Sequence, residues 1–238
     1  MRSYFISICL FSGLLFPNFL KAQGQWGVTG GANLSKVLIK EEDTGVDEVR
    51  YFPVAGFQIG IFNDISIGKK VNLIPSLLFI TKGYRSEAVA NMGFHRLVKR
   101  KNNPAYIELP VDLIYNFSNR NNGFFAGINS YISYAIGGKG KYESFIDGEK
   151  KSESEYKLEF RNKAEVSSGD NIVTVNYGYS KPIDIGAGVI LGYHFSNNLR
   201  MSLNADHSLI NIFPKPEIPS DFQKRYNQQV RLSVGYSF

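Results

Sequence analysis

Beyond residue 22, apolar and polar side chains alternate with a period of two, the spacing of a β-strand whose two faces meet different surroundings. The pattern is clearest over 106–117. There Ile107, Leu109, Val111, Leu113, Tyr115 and Phe117 share one face, and Glu108, Pro110, Asp112 and Asn116 the other. Segment 182–195 sets Ile183, Ile185, Ala187, Val189, Leu191, Tyr193 and Phe195 against Asp184, Gly186, Gly188, Gly192 and His194. The last residues place Val230, Leu232, Val234, Tyr236 and Phe238 opposite Arg231, Ser233, Gly235 and Ser237. Trp26, Val28, Ala32 and Leu34 open the series, and segments 54–63, 124–137 and 199–212 follow the rule with more noise. An eighth segment, 71–84, is apolar on both faces, so alternation does not assign its sides. Eight strands are predicted.

The connections between them alternate in length. Short ones fall near 63–70, 118–123 and 196–198, and long ones at 38–51, 85–104, 138–181 and 213–226. A barrel that crosses a membrane with both termini on one side has tight turns at that rim and longer loops at the other. A soluble sandwich has no reason to sort its loops this way. Alternation alone also fits a lipocalin-like carrier, whose apolar stripe faces an interior ligand. The polar faces separate the two. They are rich in glycine and carry few charges, namely Glu108, Asp112, Asp184, Arg200, Asp206 and Arg231, whereas a water-facing surface carries many Lys and Glu. Such a set suits a crowded lumen in which each charge needs a partner, because an unpaired one costs several kcal/mol. The expectation is an all-β, eight-stranded antiparallel up-and-down transmembrane β-barrel over 23–238, with short periplasmic turns and long extracellular loops. An interior of that size is filled by side chains, which argues against conduction.

Composition narrows the reading. Aromatic residues make up 14% of 238 residues and glycine numbers 23, which excludes a coiled coil or a disordered chain. A single cysteine, Cys9, excludes a disulfide framework and a cysteine zinc site. Arg2, the apolar run 4–16 and the small residue Ala22 form a signal peptide over 1–22. The whole chain carries +6, and removal of Arg2 and Lys21 with that segment leaves a mildly basic exported protein. Trp26, Tyr115, Phe117, Phe124, Tyr193, Phe195, Tyr236 and Phe238 fall near strand ends, as an interfacial aromatic girdle requires. Val234, Tyr236 and the terminal Phe238 make a final strand of the kind that barrel-assembly machinery reads.

Four pieces resemble the PorT-like outer-membrane β-barrel proteins. They are the opening Gly27-Val28-Thr29-Gly30-Gly31-Ala32-Asn33-Leu34-Ser35, the stretch Pro75-Ser76-Leu77-Leu78-Phe79 with Lys82-Gly83, Tyr106-Ile107-Glu108-Leu109-Pro110-Val111, and the closing Leu232–Phe238 run. The Tyr-Ile-Glu-Leu-Pro piece is the most specific of them. The resemblance implies an outer-membrane barrel of about eight strands. Its founding member is tied to protein secretion across that membrane, which makes secretion-system or envelope proteins expected partners.

Chemistry is sparse. Gly186-Ala187-Gly188-Val189-Ile190-Leu191-Gly192 imitates a dinucleotide fingerprint, but its glycines continue a strand rather than open a helix, so they read as lumen lining. His194-Phe195-Ser196-Asn197 resembles the His-x-Ser-Asn stretch of outer-membrane lipid A deacylases, in which a His beside a Ser supports acyl transfer. Here it falls at the periplasmic rim, away from outer-leaflet lipid, and Ser196-Asn197-Asn198 reads as a tight turn. No catalytic, cofactor or metal residues are assigned. His95, Arg96, Lys99, Arg100 and Lys101 form the densest basic run, placed in the second long loop as a solvated segment or a contact for lipopolysaccharide phosphates. Outer-membrane lipid is the expected surrounding. Nucleic acid is not a partner of an exported chain.

Overall fold

The computed structural model describes residues 24–40, 48–91, 93–118, 122–164, 166–169, 172–175, 179–216 and 224–238. The expected signal peptide, 1–22, lies outside them. Ten strands share one antiparallel sheet: β1 Gln25–Lys40, β2 Glu48–Ser66, β3 Val71–Thr81, β4 Tyr84–Asn91, β5 His95–Asn116, β6 Gly123–Ile146, β7 Glu149–Lys157, β8 Ile183–His194, β9 Leu199–Ser208 and β10 Lys224–Ser237. β3 and β4 are two halves of one wall strand, interrupted at Lys82-Gly83, and both lie between β2 and β5. The circuit then runs β5, β6, β8, β9 and β10, and closes where β10 pairs with β1 through Val28↔Tyr236 and Leu34↔Val230. The ring thus has eight wall positions. Closure satisfies the backbone groups that lipid cannot.

Pairing register puts every odd-numbered apolar residue of 107–117 on the outside. Leu109, Phe117, Phe124, Ile128, Val189, Leu203 and Leu232 are among the half-exposed side chains of the outer wall, while Asn33, Glu108, Asn129, Asp184, Asn204 and Arg231 are buried inside. This inversion of the usual soluble arrangement overturns the lipocalin-like alternative. The wall that alternation left unassigned also resolves, since Asn72, Ile74, Leu78 and Ile80 face in and Leu77 faces out. The girdle residues Trp26, Tyr115, Phe117, Phe124, Phe195, Tyr236 and Phe238 are exposed around the rim that holds the short turns, with Phe124, Tyr193 and Phe195 stacked edge to face.

Two expected long loops are strands instead. Of the expected loop 85–104, residues 85–91 belong to β4 and 95–104 to the upper half of β5, and the first part of 138–181 forms the top of β6 and the hairpin strand β7. The reversal is a two-residue turn at Asp147-Gly148, both with positive φ, as a type I′ hairpin requires. Further along the same connection, Ile172–Val175 pairs with Val166–Gly169. Some 10 residues suffice to cross a bilayer as a tilted strand, yet β5 has 22 and β6 has 24. Their surplus, with β4, β7 and the top of β2, rises above the lipid as a continuous sheet.

Candidate functional site: the charged lumen and its extracellular cover

The interior is layered. Towards the periplasmic turns, Asn72 donates to Asp64, and Asn116 Nδ2 donates to Asn72 Oδ1 at 3.1 Å. Above lies an apolar layer of Phe62, Ile74, Ile114, Phe125 and Ile190. Gly192 lies under the Phe125 ring, where any side chain would collide. The expected lumen of small residues and charges therefore needs correcting, because large apolar groups fill one whole level.

The charged level depends on the break between β3 and β4. Gly56 has no side chain, so β1 side chains reach across β2 to the broken strand: Asn33 Nδ2 donates to Thr81 O at 3.1 Å and Ser35 Oγ to Gly83 O at 2.9 Å. Phe57 N donates to Thr81 Oγ1, and Lys82 N to Pro104 O. Fixed on both sides, the break aims Lys82 inward. Its ammonium lies 2.6 Å from Glu108 Oε2, 3.5 Å from Asp184 Oδ2 and 3.1 Å from Ser133 Oγ, over the face of Tyr131 at 4.2 Å. Arg231 completes the cluster, with Nη1 3.0 Å from Glu108 Oε1 and Nε 2.8 Å from Asp206 Oδ2. Neutral donors take the remaining carboxylate positions. Asn129 and Gln229 donate to Asp206, while Ser208 and Asn227 donate to Asp184. Burial at this depth is tolerable because each of these charges has a partner.

Of the six lumen residues read from the sequence, Glu108, Asp184, Asp206 and Arg231 come together here. Asp112 and Arg200 lie inside the barrel but outside the cluster: Arg200 spreads over the Phe62 ring at 3.8 Å, and Asp112 Oδ1 is buried without a hydrogen-bond partner. Lys82 was missed, although four acids against two bases signalled an absent cation. Above the cluster, Ile80, Tyr106 and Ala135 form a second apolar layer, with Phe160 against it. Between that layer and Tyr84, Asn102 and Arg225 remains a cavity of about 30 Å³, room for a water or two.

The other candidates separate. His194 packs against Phe125 at 4.6 Å beside the periplasmic rim, and Ser196 belongs to the turn that follows β8. His207 stacks on Tyr226 on the outer side while Ser208 is fully buried and donates to Asp184. Neither pair sets a nucleophile against a base. Gly186 and Gly188 line the lumen within a continuing strand, with the Tyr131 ring over Gly186. Val234, Tyr236 and Phe238 face outward at the wall's lower edge. The basic run is strand rather than loop, so its members divide between two faces. Arg100 shares the inward face with Asn102 and lies over Tyr142, and Arg96 follows the same parity. Lys99 and Lys101 turn outward, with Lys99 3.7 Å from Glu87.

The family model described as Outer membrane protein beta-barrel domain matches residues 21–214. Among solved structures, the chain is similar to Ail, the attachment invasion locus protein of Yersinia pestis, with 12% identity, TM-score 0.38, and coverage of 90% of this chain and 99% of that one. It is similar to Neisserial surface protein A at 12% identity and TM-score 0.35, covering 90% and 97%. The N-terminal β-barrel domain of Pseudomonas aeruginosa OprF gives 13% identity and TM-score 0.32, covering 91% and 100%. None of the curated proteins matches by sequence.

Proposed function

The chain belongs to the Outer membrane protein beta-barrel domain family and resides in the outer membrane of a Gram-negative bacterium, and from that premise we propose that it is a non-enzymatic barrel working through its extracellular sheet. Residues 1–22 would serve as its export signal. The carrying observation is the contrast between the two ends of the wall. The lumen is filled by an ion cluster between two apolar layers, while β4–β7 extend the wall well past the lipid band. A filled lumen offers solutes no path, and an extended sheet offers neighbours a shaped surface. The PorT-like pieces around Pro75 and Tyr106 favour an accessory role in secretion or envelope upkeep.

Cross-linking on intact cells, followed by purification in detergent, tests this. A variant whose hairpin tip 143–152 is replaced by a short turn should still insert as a heat-modifiable barrel yet lose its cross-linked neighbours. Unchanged neighbours, or discrete conductance steps in planar bilayers, would overturn the reading. The lipid A hydrolase alternative predicts that His194→Ala alters lipid A acylation, and the present reading predicts no change.

A further inference from the structure

The outward face of the extracellular sheet carries its charges in rows set by strand register. In the upper row Lys99 lies opposite Glu143, and Glu143 opposite Glu153. Neutralisation there is thorough: Lys99 meets Glu87 at 3.7 Å, Lys141 reaches up to Glu153 at 2.7 Å and Glu143 at 3.2 Å, and Lys150 pairs with both glutamates. The two rows beneath are different. Lys101 lies directly opposite Lys141, and Lys139 directly opposite Lys157. Like charges facing one another across a ladder are destabilising. Lys101, Lys139 and Lys157 make no ion pair among the described residues, and Glu155, the one acid in these rows, lies within ion-pair distance of none of them. Arg85 beside them is already engaged by Glu87 and the Phe52 ring.

These rows sit at a particular height. Ile107, Tyr134 and Ile136 are the highest of the strongly exposed outward apolar side chains on β5 and β6, since Leu97 and Phe145 further up are partly covered, with Lys99 over the Phe145 ring, and Lys139 follows Ile136 by three residues, about 10 Å along the strand. That is where the headgroups of the outer leaflet begin. Lysine stems can lie along the sheet while their ammonium groups reach phosphate oxygens as point charges.

We propose that Lys101, Lys139 and Lys157 form a binding strip for the phosphate groups of an outer-leaflet lipid headgroup, anchoring the extracellular sheet to the membrane surface. This rests on the reading of that sheet as the working surface and names one partner for it. Of the arginines and lysines in the basic run that the sequence displays, Lys101 alone belongs to the strip, since Arg96 and Arg100 lie on the opposite face and Lys99 is neutralised.

The test reconstitutes the full mature protein and its Lys101→Gln/Lys139→Gln/Lys157→Gln variant in phosphatidylcholine bilayers alone, with bisphosphorylated lipid A, with dephosphorylated lipid A, or with inorganic phosphate. Urea unfolding is read from the fluorescence of Trp26. Bisphosphorylated lipid A should raise the wild-type unfolding constant ratio by about fivefold per lysine engaged, and the variant should gain little. In phosphatidylcholine alone the variant should be as stable as wild type or more so, because its like-charge pairs are gone. An Arg96→Gln/Arg100→Gln control should keep the gain. An equal gain in wild type and triple variant, a gain that survives dephosphorylation, or one reproduced by inorganic phosphate would overturn the strip. Cross-linked neighbours lost on trimming the hairpin would still stand in that event, so the two failures are distinguishable.

Discussion

Two buried charges in one lumen make opposite demands. Lys82 has Glu108, Asp184 and Ser133 within 3.5 Å, so its replacement leaves carboxylates uncompensated at full burial. We expect Lys82→Met to lower stability by about 3–5 kcal/mol, and the double variant Lys82→Met/Glu108→Leu to recover part of that loss. Among the described residues Asp112 makes no ion pair within 4 Å, and its Oδ1 is buried without a hydrogen-bond partner, so Asp112→Asn should be neutral or stabilising. Urea unfolding in vesicles, followed through the sole tryptophan, Trp26, measures all three. A loss for Asp112→Asn as large as that for Lys82→Met would contradict the assignment of the cluster. The acids and arginines of this level were legible because they occupy the polar positions of a clean alternation on β5, β8, β9 and β10. Lys82 was not, because its neighbours Ile74, Leu78 and Ile80 also face inward, against the lumen's apolar layers, and erase the contrast between faces.

At the level of elements, the strands inside lipid were readable and those above it were not, for one reason. Alternation records a difference between two surroundings, and above the lipid band both faces of β7 meet water. Its sequence, Glu149–Lys157, therefore reads as a charged loop. The signal that was present is local: Asp147-Gly148 is the pair a two-residue hairpin demands. The hairpin's charges give it a pH dependence. Hydrogen bonds from Lys141, then Lys150, hold the Glu153 carboxyl at about 2, and those from Lys150 and Lys141 lower that of Glu143. A carboxyl depressed in the folded state contributes stability above its unfolded value and loses it as pH falls through the folded one. The hairpin should thus hold together at pH 5 and above and loosen progressively from about pH 4.5 towards 2. The effect will be modest, since these side chains are solvent-screened. Amide exchange of 141–155 measures it, and Glu153→Gln should flatten the profile. A flat profile in the wild-type protein would remove these pairs from any account of hairpin stability.

For the molecule as a whole, closure of the ring brings the two ends of the described chain together, and this separates two roles for Phe238. Its backbone N–H donates to Trp26 O at 2.9 Å, just beyond the Gly27↔Ser237 pair, while the residue as a whole is 70% exposed on the outer wall. A ring with so little packing contributes little to the folded barrel beyond its contact with lipid. Read as an address for assembly machinery, its value lies before folding rather than after. Phe238→Ala should accordingly refold into phosphatidylcholine vesicles with stability within about 1 kcal/mol of wild type, as expected for a surface substitution. In cells the same variant should reach the outer membrane at a small fraction of the wild-type level. Tyr236→Ala, one pair further into the wall opposite Val28, should lose more stability in vesicles because its side chain is better covered. Equal losses in vesicles and in cells would make Phe238 a structural residue, and no loss in either would remove it from the assembly signal.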